Sequence, residues 1–344
     1  MRLSNQCGES LRFGLVGTGR IAQAYAQAFV KTQNARLVAV SDIRTEAAET
    51  FARQAGCTTW SSHTELADSG EIDAVIIATP PACHGPICLD FLQRGIPVLC
   101  EKPVSFSVDI ARKIRRVSRE QRTLFTMASK FRYAEDVVRA REMVDSGFLG
   151  NIVLFENTFM SFVEMGARWN SDRSVGGGGV FIDNGTHSVD IMRYFIGPLA
   201  MIHAVEGPTI QGLAVEETVH VSARAAQGAI GRMDLSWSIN KQCDDYIGIY
   251  GTDGVIRVGW KASFCRSGNS GWMQFGNGYD KVQAFCDQIT NFSAAIQGIE
   301  ELIIGPDDAI ASVEVIQAGY ESLASNSWTP IRNDEANVSS SVAA

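Results

Sequence analysis

The stretch that most constrains this chain is Phe13-Gly-Leu-Val-Gly17-Thr18-Gly19-Arg20-Ile21-Ala22, where an apolar strand pattern runs into a glycine turn and then a helix. In Gly17-x-Gly19-x-x-Ala22 the first glycine permits the tight turn and the second leaves backbone open to a pyrophosphate. Ala22 lets the helix pack closely on the strand. The helix N-terminus then offers free N–H groups and a partial positive charge to phosphates, with Thr18, Arg20 and Ile21 at the turn as contacts. Such a motif belongs to a doubly wound parallel sheet, and the segments after it fit the same plan.

Leu37-Val-Ala-Val-Ser-Asp42 reads as a second short apolar strand ending in an acid. A carboxylate at that place meets the ribose hydroxyls of an NAD adenosine. Asp42 also suits the N-cap of the helix that starts near Arg44, and the two roles are compatible. Arg44 keeps NADP open, because an arginine just past this strand can grip a 2′-phosphate. NAD is the expected cofactor and NADP the alternative.

Asp73-Ala-Val-Ile-Ile-Ala-Thr79-Pro80-Pro81 is a continuous apolar strand ended by two prolines. In the doubly wound order it neighbours the first strand, which places Thr79 and Pro80 opposite the glycine turn. His84 follows near the start of the next helix, either as a cofactor contact or as a plain helix residue. Ile96-Pro-Val-Leu-Cys-Glu101-Lys102-Pro103 is the next strand. Its carboxyl end delivers Glu101 and Lys102 to the same crevice, and Pro103 fixes the exit direction.

A chain of 344 residues is long for one core, so two domains are expected. Thirty basic against thirty-eight acidic residues give a net charge of −8, which argues against a broad nucleic-acid or anionic-membrane surface. The eight cysteines form no C-x-x-C pair and several lie inside apolar segments, which suits a reducing cytoplasm. The first ten residues show no export signal, and no apolar run is long enough to span a bilayer.

The second half opens at Phe131-Arg132-Tyr133, followed by a helix over 134–146 and a strand over 152–162. Then come Arg168-Trp169-Asn170, four glycines at Gly176 to Gly179, and Asp183-Asn184-Gly-Thr-His187 at the entrance of a helix. The glycines suit close approach of a ligand or of another chain segment, or a mobile loop. Asp183 and His187, four apart, share one helix face. A carboxylate beside an imidazole fixes its tautomer and raises its basicity, as a general base requires. The pair is also half a metal site, but no further ligands stand at suggestive spacing, so no metal is expected.

From Leu199 to Trp260 strand patterns alternate without helices between them, which predicts an open, mostly antiparallel sheet and an α+β domain. Trp237, Trp260 and Trp272 are expected in core or interface. Segments 279–297 and 307–324 read as amphipathic helices, the first covering the sheet and the second returning to the Rossmann domain. The expected fold is therefore α/β. Residues 1–128 form the Rossmann domain, 129–332 the α+β substrate and oligomerisation domain, and 333–344 a flexible tail.

Taken together, Gly17-x-Gly19-x-x-Ala22, Asp42, Ala78-Thr-Pro-Pro81 with His84, and Glu101-Lys102-Pro103 resemble the Gfo/Idh/MocA oxidoreductase family. The resemblance implies an NAD(P)-dependent dehydrogenase or reductase acting on a ring alcohol or ketone of a sugar, cyclitol or nucleotide-linked sugar. It implies Lys102, Asp183 and His187 as catalytic residues. Arg168 and Trp169 join the cofactor contacts, and Arg132, Tyr133 and Asn184 join Lys102, Asp183 and His187 around the substrate. Arg132 is alternatively a surface salt bridge. Lys130, Arg132, Arg168 and Arg173 form a basic set that would favour an anionic substrate, unless they pair with Glu135, Glu164 and Asp172. The family also implies a homodimer or homotetramer through the C-terminal sheet. Two other readings keep the fold: an NAD-retaining glycosidase and a non-catalytic dinucleotide sensor.

Overall fold

The computed structural model describes residues 10–332. The expected tail at 333–344 lies outside them. The chain divides into two compact units, and each is described separately.

The first unit comprises residues up to Ser105, Asp109–Tyr133 and Asp280–Ala309. Its elements begin with β1 (Leu11–Val16), α1 (Arg20–Lys31), β2 (Ala35–Ser41), α2 (Thr45–Ala55), β3 (Thr58–Trp60) and α3 (His63–Asp68). They continue with β4 (Ala74–Ile77), α4 (Pro81–Gln93), β5 (Val98–Glu101), α5 (Val108–Gln121) and β6 (Phe125–Ala128). The six strands are all parallel in the order β3-β2-β1-β4-β5-β6, the doubly wound arrangement in which β1 lies between β2 and β4. Strands β4, β5 and β6 are buried along their whole length, which is why they are apolar but for Thr126 and the terminal Glu101.

The second unit holds Phe106–Val108, Ala134–Tyr279 and the chain from Ile310 onward. It contains α6 (Glu135–Asp145), β7 (Ile152–Met160), α7 (Arg173–Gly176), α8 (Val180–Ile196), β8 (Leu199–Glu206) and β9 (Thr218–Ala225). Next are β10 (Ile230–Ser236), β11 (Asp245–Gly251), β12 (Gly254–Gly259), β13 (Ser263–Ser267) and β14 (Met273–Gly276). After α9 (Lys281–Ile296), which belongs to the first unit, come α10 (Pro306–Ser325) and β15 (Thr329–Pro330). The sheet runs β14-β13-β12-β11-β7-β10-β9-β8-β15 and is antiparallel except between β7 and β10. Helix α8 packs on β7, β9 and β10, covering the face that carries Phe155, Asn157 and Phe159. Strands β13 to β15 are absent from the pattern reading, because they are short and half exposed.

Two helices differ from expectation, and each has taken the other's place. Helix α9 does not cover the second sheet. It docks on α1, setting Phe285 4.6 Å from Tyr25 and Phe292 6.0 Å from Phe13, ring centre to ring centre. Removing one such buried phenylalanine costs about 3–5 kcal/mol, so these contacts hold the helix firmly. Conversely α10 does not return to the first unit beyond its first turn. From Ile310 it joins the second unit, where Ser322 Oγ accepts from the Ala204 N–H at 3.0 Å and Tyr320 meets Phe181. No described helix is long and apolar enough to cross a membrane.

Candidate active site

The glycine turn is built by backbone contact. Gly17 has φ +95° and donates its N–H to Ser41 O at 2.8 Å. A Cβ there would lie 2.7 Å from the carbonyl oxygen of Ala78, on the neighbouring strand's exit. Gly19 is different, since a Cβ on it would meet nothing within 4 Å. No protein atom requires that glycine, so what it leaves room for is a ligand approaching the N-terminus of α1. Arg20 and Ile21 begin the helix, with Arg20 exposed.

Asp42 follows β2. Its Oδ2 accepts from the Thr18 N–H at 2.8 Å and the Thr18 hydroxyl at 2.9 Å, and its Oδ1 from the Arg44 N–H at 2.9 Å. The acid therefore links the glycine turn to the end of β2. It is not the N-cap of α2, a place taken by Arg44 with no side-chain cap. Burial alone would raise the carboxyl's pKa, but the donors from Thr18 and Arg44 outweigh it and hold Asp42 below the ordinary carboxylate range. The group thus stays ionised until pH falls below about 4, the unperturbed value, and its contribution is lost only as pH drops further through the lowered pKa. NAD affinity, followed by quenching of protein fluorescence, is expected to be level from pH 7 to about 4 as far as Asp42 governs it. Asp42→Ala should weaken NAD on the order of tenfold to a hundredfold at neutral pH.

Thr79 and Pro80 leave β4. The Thr79 Oγ1 is buried with no hydrogen-bond partner among the described residues, a donor left for something outside the protein. With Gly17, Gly19 and Asp42, this residue set fits a dinucleotide.

Four expected cofactor or substrate contacts need correction. His84 is fully buried, with Nδ1 2.7 Å from Pro103 O and Nε2 2.8 Å from Thr79 O, so it supports the cleft's backbone rather than reaching a cofactor. Glu101 is likewise inside. Its Oε1 accepts from the Tyr25 hydroxyl at 2.8 Å and its Oε2 from the Lys102 N–H at 3.2 Å. Burial drives its carboxyl upward, while Lys130, the Tyr25 hydrogen bond and Lys102 pull the other way. Arg132 and Tyr133 do not line an open pocket: Arg132 is buried and pairs with Asp308 at 3.2 Å, and the buried Tyr133 donates to Asn291 Oδ1 at 3.3 Å. Both fasten the chain segment after β6 to the residues around α9 and the start of α10.

The basic set is divided by the same packing. Lys130 lies over the Phe131 and Phe285 rings and faces Glu101, and Arg132 is taken by Asp308. Of the acids expected as partners, Glu135 pairs with Arg139, and Asp172 caps α7 through the Ser174 N–H. In the second unit Arg168 is half-buried, whereas Arg173 and Trp169 are exposed. Arg173 stands 4.0 Å from Glu216.

Asp183 and His187 lie one turn apart near the start of α8, and His187 is buried. Asn184 is half-buried between them, its carbonyl accepting from the Ser188 hydroxyl at 3.3 Å. Two supports escaped the sequence reading. Asn170 donates from Nδ2 to Asp183 Oδ2 at 3.3 Å. Glu216 caps α8 from a distant loop, its Oε1 accepting from the Gly179 N–H at 2.8 Å, the Phe181 N–H at 3.3 Å and the Tyr320 hydroxyl at 2.7 Å. Close approach of the chain also explains three of the four glycines. A Cβ at Gly177 would strike the Phe106 ring, at Gly178 the Tyr320 hydroxyl, and at Gly179 the Glu216 backbone, so another chain segment is what approaches. Among the described residues no cluster of three or more His, Cys, Asp or Glu could hold a metal.

A six-stranded doubly wound sheet with this turn and acid, beside a second unit built on a nine-stranded sheet, defines a two-domain dinucleotide-dependent oxidoreductase. Residues 11–129 match the family model described as oxidoreductase family, NAD-binding Rossmann fold, and residues 137–257 match the GFO/IDH/MocA C-terminal domain. The chain belongs to the Gfo/Idh/MocA family, and its first unit is an NAD-binding Rossmann domain. It is 28% identical to the rhizopine catabolism protein MocA of Rhizobium meliloti, over 91% of this chain and 95% of that protein. It is 25% identical to inositol 2-dehydrogenase of Rhizobium meliloti (strain 1021), over 92% of this chain and 97% of that one. The fold is similar to that of a levoglucosan dehydrogenase solved in complex with NADH, with a TM-score of 0.89, 20% identity, and 94% and 100% of the two chains covered.

Proposed function

We propose that this protein is an NAD-dependent dehydrogenase that oxidises a ring secondary alcohol of an uncharged sugar or cyclitol, or reduces the corresponding ketone. The observation that carries this reading is that one chain holds both an NAD-binding unit whose β5 ends in Glu101-Lys102-Pro103 and an Asp183–His187 pair on a capped helix. Relatives named inositol 2-dehydrogenase support the substrate class. The loss of Lys130 and Arg132 to internal partners removes half the basis for an anionic substrate.

NAD, when bound, supplies the hydride acceptor. The rest falls to the chain. His187 takes the hydroxyl proton, Asp183 orients the imidazole and stabilises its charged form, and Lys102 donates a hydrogen bond to the developing alkoxide. Asn170 keeps the Asp183 carboxylate turned to its task. Asp42 at the end of β2, held by the Thr18 and Arg44 N–H groups, supports NAD over NADP. The uncovered face of the second sheet, which bears the exposed His220, Arg224 and Arg232, supports a homo-oligomer formed through that sheet.

The experiment is a panel of myo-inositol, scyllo-inositol, levoglucosan, free hexoses and UDP-sugars with NAD, read as NADH absorbance at 340 nm. Turnover is expected with an uncharged ring alcohol, and a preference for UDP-sugars would reverse the assignment of substrate charge. Glycoside cleavage without net NADH would replace the dehydrogenase reading altogether.

A further inference from the structure

The ladder of the first unit's sheet stops short of the residues that follow β4 and β5. Pairing between β4 and β5 ends at Ile77 and Cys100, so the residues after them, Thr79 on one side and Lys102-Pro103 on the other, have no ladder between them. The His84 side chain crosses the gap. His84, in the first turn of α4 and without exposed surface, has Nδ1 2.7 Å from Pro103 O and Nε2 2.8 Å from Thr79 O.

We propose that His84 is the positioning residue for Lys102: by donating Nδ1–H to the Pro103 carbonyl it ties the loop after β5 to the loop after β4 and so fixes where the lysine points. Lys102 then stands between two anchors, its own N–H on Glu101 Oε2 at 3.2 Å and its successor's carbonyl on the imidazole. Both carbonyls are satisfied at once only by a doubly protonated ring. Burial, the largest influence, lowers the imidazole's pKa with help from the Lys102 charge, against the pull of both carbonyls. The Pro103 contact flanks the lysine, and the proposal places the neutral ring's proton on Nδ1, toward that carbonyl. A ring locked between two backbone oxygens holds a side chain far more narrowly than a loop does, and a displacement of about 1 Å at a reacting group can cost about 10²-fold in rate.

The role assigned to Lys102 rests on the dehydrogenase reading, and the test separates the two. His84→Ala removes both bonds, whereas His84→Asn places an amide N–H where Nδ1 was and guards against a simple folding failure. With the fastest alcohol of the panel, H84A is expected to lower kcat on the order of 10²-fold with NAD affinity nearly unchanged, and H84N to recover most of the loss. In the Lys102→Met background, H84A should add no further loss, because a residue acting only through another is silent once that other is gone. Independently of any substrate, the ¹³C-dimethyl-lysine resonance assigned to Lys102, by its absence in K102M, should be displaced in H84A and restored in H84N. Full kcat in H84A, losses that multiply in the double variant, or an unmoved resonance would each overturn the proposal. If no alcohol reduces NAD, the dehydrogenase reading fails, and the resonance alone decides the role of His84.

Discussion

Lys102→Met is expected to lower kcat on the order of 10²-fold or more while leaving NAD affinity close to unchanged. An alkoxide forming on a carbinol carbon needs a donor waiting for it, and an ammonium in a site shielded from water is worth several kcal/mol to that charge. Methionine keeps the length and the apolar stem but offers no proton, so the loss falls on the transition state and not on cofactor binding. His187→Ala should cost about 10²- to 10⁴-fold through the proton-transfer arm of the same reaction. Steady-state rates beside a fluorescence titration with NAD decide the matter, and K102M with undiminished turnover would remove the lysine from the mechanism. Because both groups are proposed to serve one carbon, the two losses should fall well short of multiplying in the double variant.

Gly17→Ala is expected to damage the fold as well as the cofactor site. The backbone there sits at φ +95°, which costs an L-residue about 1–3 kcal/mol. The added methyl would also lie 2.7 Å from Ala78 O and 2.8 Å from Ala78 C, atoms anchored by the Ala78 N–H bond to Val16 O. Neither side can move without breaking the junction of β1 and β4. A melting temperature lower by several degrees and NAD binding weakened on the order of 10²-fold are expected. Gly19→Ala is the informative contrast. With nothing within 4 Å of its Cβ, it should leave thermal stability nearly intact and still weaken NAD. If Gly19→Ala bound NAD normally, the ligand-facing role of that turn would be wrong.

Much of the first unit was legible because its signals are local. The strand, the glycine turn and the helix follow each other within one short segment, and short apolar runs such as Ala74–Ile77, ended by prolines, suit strands buried on both faces. The candidate catalytic residues were legible for the same reason, since strand ends and i, i+4 spacing are properties of a single element. The contacts of His84, Glu101 and Arg132 were not. Each lies within or beside a motif that suggests ligand binding, yet each turns inward to partners that no local pattern names: Thr79 and Pro103, Tyr25, and Asp308.

By itself the sequence determined a doubly wound NAD-binding unit and a second unit built on an open sheet, and it named the residues now proposed for the proton chemistry. Only the tertiary structure decided which helix belongs to which unit. An amphipathic pattern states that α9 and α10 each bury a face, but Phe285 and Phe292 find Tyr25 and Phe13 only once α1 is in place. It likewise decided that Glu216 caps the helix of Asp183 and His187 and that His84 bridges two loops. Periodicity records how much of an element is buried, whereas the identity of a distant partner depends on three-dimensional closure that no local pattern encodes.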